Sequence, residues 1–276
     1  MNKLRAVKML GQNFLVDRGV IHRIIDTVSP REDDHILEIG PGQGAMTEEL
    51  AESGAHLVAV ELDRRLAPLL ADRFSANPRV EIVEADILKT DLAALLESRF
   101  PGKWKVAANL PYNISSQVLI KFLDTPQLFT QLVLMLQKEV GDRLVAPPAC
   151  KEYGILTLFC RLHFDVTRAF IVKPGAFHPV PKVDSVVLRF LPLPFPRADV
   201  GDEKLFRQVV KAAFSQRRKT LWNCLRSSTL FTDAEQLARL LAGCGIDGNR
   251  RGETLSLEEF AVISRTLFAE AAPAGK

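Results

Sequence analysis

Ile36-Leu37-Glu38-Ile39-Gly40-Pro41-Gly42-Gln43-Gly44 is a short, mostly apolar run that passes into three glycines at alternate positions. The run is too short for a helix and reads as a buried strand. Gly40, Gly42 and Gly44 then let the backbone pass close to a ligand where any Cβ would intrude. A helix is predicted beyond them, from about Thr47 to Glu52. The spacing is G-x-G-x-G, not the G-x-G-x-x-G of dinucleotide folds. A tight structural turn needs the same glycines, so the reading depends on what lies downstream.

Downstream, the strand–helix unit recurs. Leu57-Val-Ala-Val precedes a helix around 64–75, and Val80-Glu-Ile-Val a short one around 91–98. Val106-Ala-Ala precedes a helix around 115–123, and Leu132-Val-Leu-Met-Leu follows. This alternation predicts an α/β, Rossmann-like fold whose mostly parallel sheet is covered on both faces. Two strands end on acids. Glu61 closes the second, about twenty residues after the first glycine, where a carboxylate accepts both hydroxyls of a ribose. Asp86 closes the third, where it can accept from an adenine amine. Together with the glycines they favour nucleoside binding. No Lys-Ser/Thr pair follows the glycines, and no basic side chain there suits a pyrophosphate. Adenosyl cofactors without phosphate remain, chiefly S-adenosylmethionine.

The fourth strand runs into Asn109-Leu-Pro-Tyr-Asn-Ile-Ser115. An amide acceptor at a strand end, a rigid proline and an adjacent aromatic ring suit a flat heterocycle held by its exocyclic amine. Methyl transfer to such an amine is chiefly an alignment problem. Acceptors on its N–H bonds, the Asn109 side chain and the Leu110 carbonyl, favour a pyramidal nitrogen and stabilise the charge that develops there. No catalytic histidine is needed, because the methylated ammonium is acidic.

The chain has 276 residues, 47% hydrophobic and 25% charged, as expected of a large domain with or without a small one. No apolar run approaches the ~18 residues of a membrane span. Met1-Asn-Lys-Leu-Arg-Ala-Val-Lys8 lacks the apolar core of a signal peptide, and a cytoplasmic protein is expected. The four cysteines form no C-x-x-C pair, so a zinc or redox site is not indicated. Ser185-Val-Val-Leu-Arg-Phe-Leu reads as a strand, and Pro192, Pro194 and Pro196 then forbid helix. A division near residue 197 is expected, with helices at 203–226, 233–243 and 256–269 beyond it. Residues 1–199 carry 24 basic and 24 acidic side chains, whereas 200–276 carry 12 and 9. Lys204, Arg207, Lys211, Arg217, Arg218, Lys219 and Arg226 follow one another with no acid between them. On one continuous helix all but Arg217 would share a face, which predicts a surface for a polyanion.

These motifs, with Leu10-Gly-Gln-Asn-Phe-Leu, Glu84-Ala-Asp-Ile, Phe177-His-Pro-Val-Pro-Lys-Val-Asp-Ser, Phe214-Ser-Gln-Arg-Arg-Lys-Thr-Leu and Glu253-Thr-Leu-Ser-Leu, resemble the class I S-adenosylmethionine-dependent methyltransferases. More narrowly, the chain resembles, almost end to end, the small-subunit (16S) ribosomal RNA adenine N6,N6-dimethyltransferases of the KsgA type. Met46 and Trp222 depart from the family's commoner Leu and Arg. The resemblance implies a catalytic domain over 1–197 and a helical RNA- and ribosome-binding domain over 198–276. It implies that Asn13 and Leu15 close over the cofactor, Gly40 and Gly42 flank its methionine end, Glu61 takes its ribose and Asp86 its adenine. Asn109 would also touch the cofactor, standing where it meets the substrate, and Asn109, Leu110, Tyr112 and Phe177 would hold the target base, the two rings stacking on it. Lys204, Arg207, Lys211, Arg217, Arg218 and Lys219 would meet RNA. The implied reaction is dimethylation of two adjacent adenosines in a 3′-terminal hairpin of 16S rRNA within the 30S subunit, by a monomer that binds no metal and no membrane. Three rivals stay open: a 23S rRNA adenine methylase of the macrolide-resistance type, a ribosome-assembly factor that chiefly binds, and a protein-amide methyltransferase.

Overall fold

A computed structural model of the chain describes residue 7 and residues 10–271, so most of the N-terminal octapeptide weighed as a leader lies outside the described residues. The chain begins with β1 (Phe14–Leu15), α1 (Arg18–Val28), β2 (His35–Ile39), α2 (Ala45–Glu52), β3 (His56–Glu61), α3 (Ala67–Phe74) and β4 (Val80–Glu84). It continues through α4 (Leu92–Glu97), β5 (Trp104–Asn109), α5 (Ser115–Asp124), β6 (Phe129–Gln137), α6 (Lys138–Val145) and α7 (Ile155–His163). Then come β7 (Phe164–Val172), β8 (Phe177–His178), β9 (Ser185–Pro192), α8 (Glu203–Ala213), α9 (Leu221–Arg226), α10 (Ala234–Gly243) and α11 (Leu257–Ala271).

The main sheet has seven strands in the order β4-β3-β2-β5-β6-β9-β7. Strands β4, β3, β2, β5 and β6 are parallel, the inner strands in keeping with their mostly apolar runs, and β9 enters antiparallel to β6. The order reverses at β2, whose neighbours are β3 and β5. A crevice opens at such a switch point, beyond the carboxyl ends of the strands. Glu38, Glu61 and Asn109 all lie at those ends. Strand β1 pairs antiparallel with β8, with Leu15 opposite Phe177, and thereby fastens the N-terminal segment. Among the described residues no helix is long and apolar enough to cross a membrane.

The chain divides into two compact units, 1–141 with 165–192, and 142–164 with 193–276. The first cut beyond the sheet falls at Pro192, near the proline-spaced segment. The second unit also takes 142–164, the end of α6, the loop after it and α7, which were expected within the first domain. Within that unit the basic run is not one helix. It is interrupted from Phe214 to Thr220, where the Thr220 hydroxyl caps α9 by accepting from the Asn223 N–H at 3.3 Å. The Leu221 and Trp222 N–H groups donate to the carbonyls of Arg250 and Gly248, at 2.6 and 2.9 Å, instead of to a preceding helical turn. The predicted cap of α11 is present. Ser256 N–H donates to the Glu259 carboxylate at 2.8 Å, and Glu259 N–H to the Ser256 hydroxyl at 3.2 Å.

Candidate active site

The glycine turn rises from β2 with Gly40, Gly42 and Gly44 at φ of 67°, 60° and 83°, backbone that a side chain strongly disfavours. A Cβ on Gly42 would stand 2.9 Å from the Phe14 ring. The turn and the N-terminal strap are therefore pressed together by the lack of a side chain. Between strap, turn and strand ends lies a cavity of about 270 Å³. It gathers Asn13, Leu15, Gly40, Gly42, Glu61, Asp86 and Asn109, residues up to 96 positions apart. Leu62, directly after Glu61, and Ile87, directly after Asp86, add apolar walls; β4 ends at Glu84, so Asp86 lies two residues beyond the strand that it was expected to close.

Glu61 is buried and accepts from the Gly42 N–H at 2.9 Å and the Asp63 N–H at 2.8 Å. Burial raises its carboxyl, and these backbone donors pull it back. Asp63 in turn binds Arg65 and accepts from the Gln12 amide at 2.9 Å, so the strap is latched just beyond the end of β3. The Arg65 guanidinium holds the Asp63 carboxyl well below the usual carboxylate range. Asp86 accepts from the Leu88 N–H at 3.0 Å. Below the glycines Glu38 is fully buried, and among the described residues neither of its carboxylate oxygens meets a hydrogen-bond donor. Burial pushes its carboxyl up to about 8, against a lowering effect of the nearby Thr47 hydroxyl and with a raising one from Glu61.

The Asn109 side-chain amide donates to the Asn13 carbonyl at 3.2 Å. A carbonyl can only accept, so the amide nitrogen must face Asn13 and Oδ1 is left for another donor. Beside it is a cleft of about 20 Å³ lined by Gly11, Asn13, Asn109, Leu110, Pro111 and Tyr112. Gly11 lets the strap lie against this loop, since a Cβ there would stand 2.7 Å from Asn113 Oδ1. Tyr112 is half-buried, and burial raises its phenol. Phe177 is placed otherwise than expected. It is 2% exposed, sits in the core cluster with Leu15, Ile21 and Val172, and lines neither cavity. Its pairing opposite Leu15 turns the ring to the core.

The six basic residues predicted for RNA do not form one stripe. Lys204, Arg207 and Lys211 are spaced to share a face of α8, where Arg207 pairs with Glu203 at 2.7 Å. Arg217 turns to the Lys151 carbonyl and to Glu253, 3.6 Å away. Lys204, Lys211, Arg218 and Lys219 are exposed.

The family model for "Ribosomal RNA adenine dimethylase" matches residues 3–267. The chain belongs to that family. Its relatives include the Ribosomal RNA small subunit methyltransferase A of Geobacter metallireducens, 64% identical over 96% of this chain and 97% of the relative. The counterpart in Geobacter sulfurreducens is 59% identical over 96% of each. Among solved structures, a dimethyladenosine transferase from Plasmodium falciparum superposes with a TM-score of 0.78 at 26% identity, over 91% of this chain and 95% of that one. The 23S rRNA methyltransferase ErmE superposes with a TM-score of 0.68 at 26% identity, over 92% and 99%.

A member of this dimethylase family is an enzyme that takes its methyl group from S-adenosylmethionine, and the residues present fit that donor. A Cβ on Gly42 would press on Phe14 at the cavity, the walls are mostly apolar, and no lysine or arginine is among the residues that line it to meet a phosphate. Gln12, Asp63 and Leu62 are site residues that the sequence reading missed. For Leu62 the signal was its place directly after Glu61. The Gln12–Asp63 bond had none, because it joins residues 51 apart.

Proposed function

We propose that this enzyme methylates the N6 amines of two adjacent adenosines in a 3′-terminal hairpin of 16S rRNA, within the 30S subunit, to N6,N6-dimethyladenosine. The observation that carries the reading is the fixed orientation of Asn109. Its amide nitrogen is committed to Asn13, so its Oδ1 stands at the cleft beside the cofactor cavity as an acceptor for an amine N–H. An acceptor suits adenine N6, which carries two hydrogens; Leu110 lines the same cleft, and its carbonyl is the acceptor we assign to the second. Gly40, Gly42, Glu61 and Asp86 hold the donor, with Asn13 and Leu15 over it. Bound S-adenosylmethionine supplies a methyl group on a sulfonium, an electrophile that needs no further activation. The work left to the protein is to orient the amine, favour its pyramidal form and accept hydrogen bonds from the charge that develops. No side chain need take a proton before attack.

A cleft of about 20 Å³ cannot admit a purine ring, so the loop and strap open to receive the flipped base, with Tyr112 stacking on it. Exposed Lys204, Lys211, Arg218 and Lys219 meet phosphates of the particle, and residues 198–276 act as the RNA-facing part of the chain. The enzyme works as a monomer in the cytoplasm. The test is incubation with labelled cofactor and undermethylated 30S subunits, followed by digestion to nucleosides. N6,N6-dimethyladenosine is expected. Label entering only protein-free 23S RNA, or appearing in cytidine, overturns the proposal.

A further inference from the structure

Tyr112 is tied down at both ends. Its backbone carbonyl accepts from the Ser115 hydroxyl at 3.2 Å, and its phenolic oxygen is 2.8 Å from Oγ of Ser185. Ser185 is wholly buried, 73 residues away in sequence, and is the first residue of β9. It stands opposite Gln137 in the antiparallel ladder between β6 and β9. The residue before it is held as well. The Asp184 carbonyl accepts from the Lys138 N–H at 2.9 Å, and its carboxylate from Lys173 at 2.8 Å. Ser185 is thus part of the rigid sheet, while Tyr112 belongs to a loop that must move to admit a base.

A half-buried phenol could satisfy its hydroxyl with water. A water would move with the loop, whereas a strand residue returns the ring to one place after each opening. A ring held in its stacking plane before the base arrives also spares the loss of side-chain freedom on binding. We propose that Ser185 is a positioning residue for methyl transfer, its hydroxyl fixing through Tyr112 the plane against which the target base stacks. The inference rests on the reading that Tyr112 faces that base.

Ser185→Ala and Tyr112→Phe remove the same bond from opposite ends. Each should slow single-turnover methyl transfer to 30S subunits about twofold to tenfold, the effect of one hydrogen bond, with 30S affinity unchanged. The double variant should be no slower than the slower single one. The chain has only two tyrosines, so protein labelled with 3-fluorotyrosine gives two fluorine resonances, and Tyr112→Phe assigns them. Ser185→Ala should move the Tyr112 resonance and raise its titration midpoint, leaving Tyr153 in place as the reference. Additive losses in the double variant, or wild-type rates in Tyr112→Phe with an unmoved resonance in Ser185→Ala, overturn the proposal. Should Ser185→Ala fail to fold, Tyr112→Phe decides by its rate alone. Tyr112→Ala separates the two layers. Wild-type transfer there refutes the stacking reading itself, whereas loss there with normal Tyr112→Phe and Ser185→Ala refutes only the role of Ser185.

Discussion

Replacing Glu38 with Gln should reverse sign in its effect on stability between acid and alkaline pH. Glu38 lies on β2 beneath the glycine turn, is fully buried and, among the described residues, has no hydrogen-bond donor on either oxygen. Its carboxyl is raised from 4.5 to about 8. The folded state therefore keeps the proton where the unfolded chain gives it up. The stability this residue permits is fully present below pH 4.5 and is lost as pH rises towards 8. Each pH unit in that window costs about 1.4 kcal/mol. Integrated from pH 5 to pH 9, the loss is about 4 kcal/mol, an upper figure because some charge is relieved by local adjustment. Glutamine does not titrate, but it brings two amide hydrogens to a site where the Thr47 hydroxyl can accept only one of them, and the hydrogen left unpaired costs roughly 1–3 kcal/mol at every pH. The variant should thus be the less stable protein at pH 5 and the more stable one at pH 9. Urea unfolding at both pH values checks this, with Trp104 fluorescence as the probe in a Trp222→Phe background. Trp104 is buried on β5, the strand beside β2, and so reports the sheet unit. Glu61, raised as well, is present in both proteins and largely cancels. Parallel stability curves for the two proteins would refute the claim that Glu38 is buried as a neutral acid.

Four further outcomes follow from the site. Asn109→Ala should lower single-turnover methylation by roughly a hundredfold or more, as loss of an oriented acceptor does, while calorimetry finds cofactor affinity within a few-fold of wild type. Gly42→Ala forces a side chain into left-handed backbone, at about 1–2 kcal/mol, and against Phe14 of the strap. Cofactor affinity should fall about tenfold or more, and unchanged binding would show that the strap does not rest on the turn. Gln12→Ala cuts the latch to Asp63, a bond to a charged acceptor, and should speed cofactor release in a chase experiment by about tenfold. Joint charge reversal of Lys211, Arg218 and Lys219 should weaken 30S binding and flatten its salt dependence by roughly one unit of slope for each phosphate no longer neutralised. An unchanged slope would place the RNA-facing surface elsewhere.

Local features were legible in the sequence. The glycine turn, the acids at the ends of β3 and just beyond β4, and the Asn-Leu-Pro-Tyr loop each lie within a few residues of a strand end. Chain geometry alone fixes where such residues point, and the strand–helix rhythm fixes that the ends converge. The capping pair Ser256 and Glu259 was equally readable, since both partners belong to one helical turn. Contacts between distant residues left no such trace. Arginines and lysines at helical spacing implied one basic stripe from 203 to 226, yet Thr220 caps a new helix and residues 248 and 250 take its first N–H groups. Phe177 carried an aromatic suited to stacking, and only its pairing opposite Leu15 sends it to the core. Residues 142–164 follow the sheet strands in order but pack with the second unit, because burial depends on neighbours that no local pattern names.

What the sequence determined by itself was the family, the methyl donor and the residue types at the end of each strand, because those demands are met by short segments. What only the tertiary structure decided was how those residues are held. The Asn13 carbonyl orients the Asn109 amide across 96 positions, and Ser185 reaches the Tyr112 phenol across 73. Such bonds are made between elements that the fold alone brings together, and they turn a set of suitable side chains into one with a single geometry.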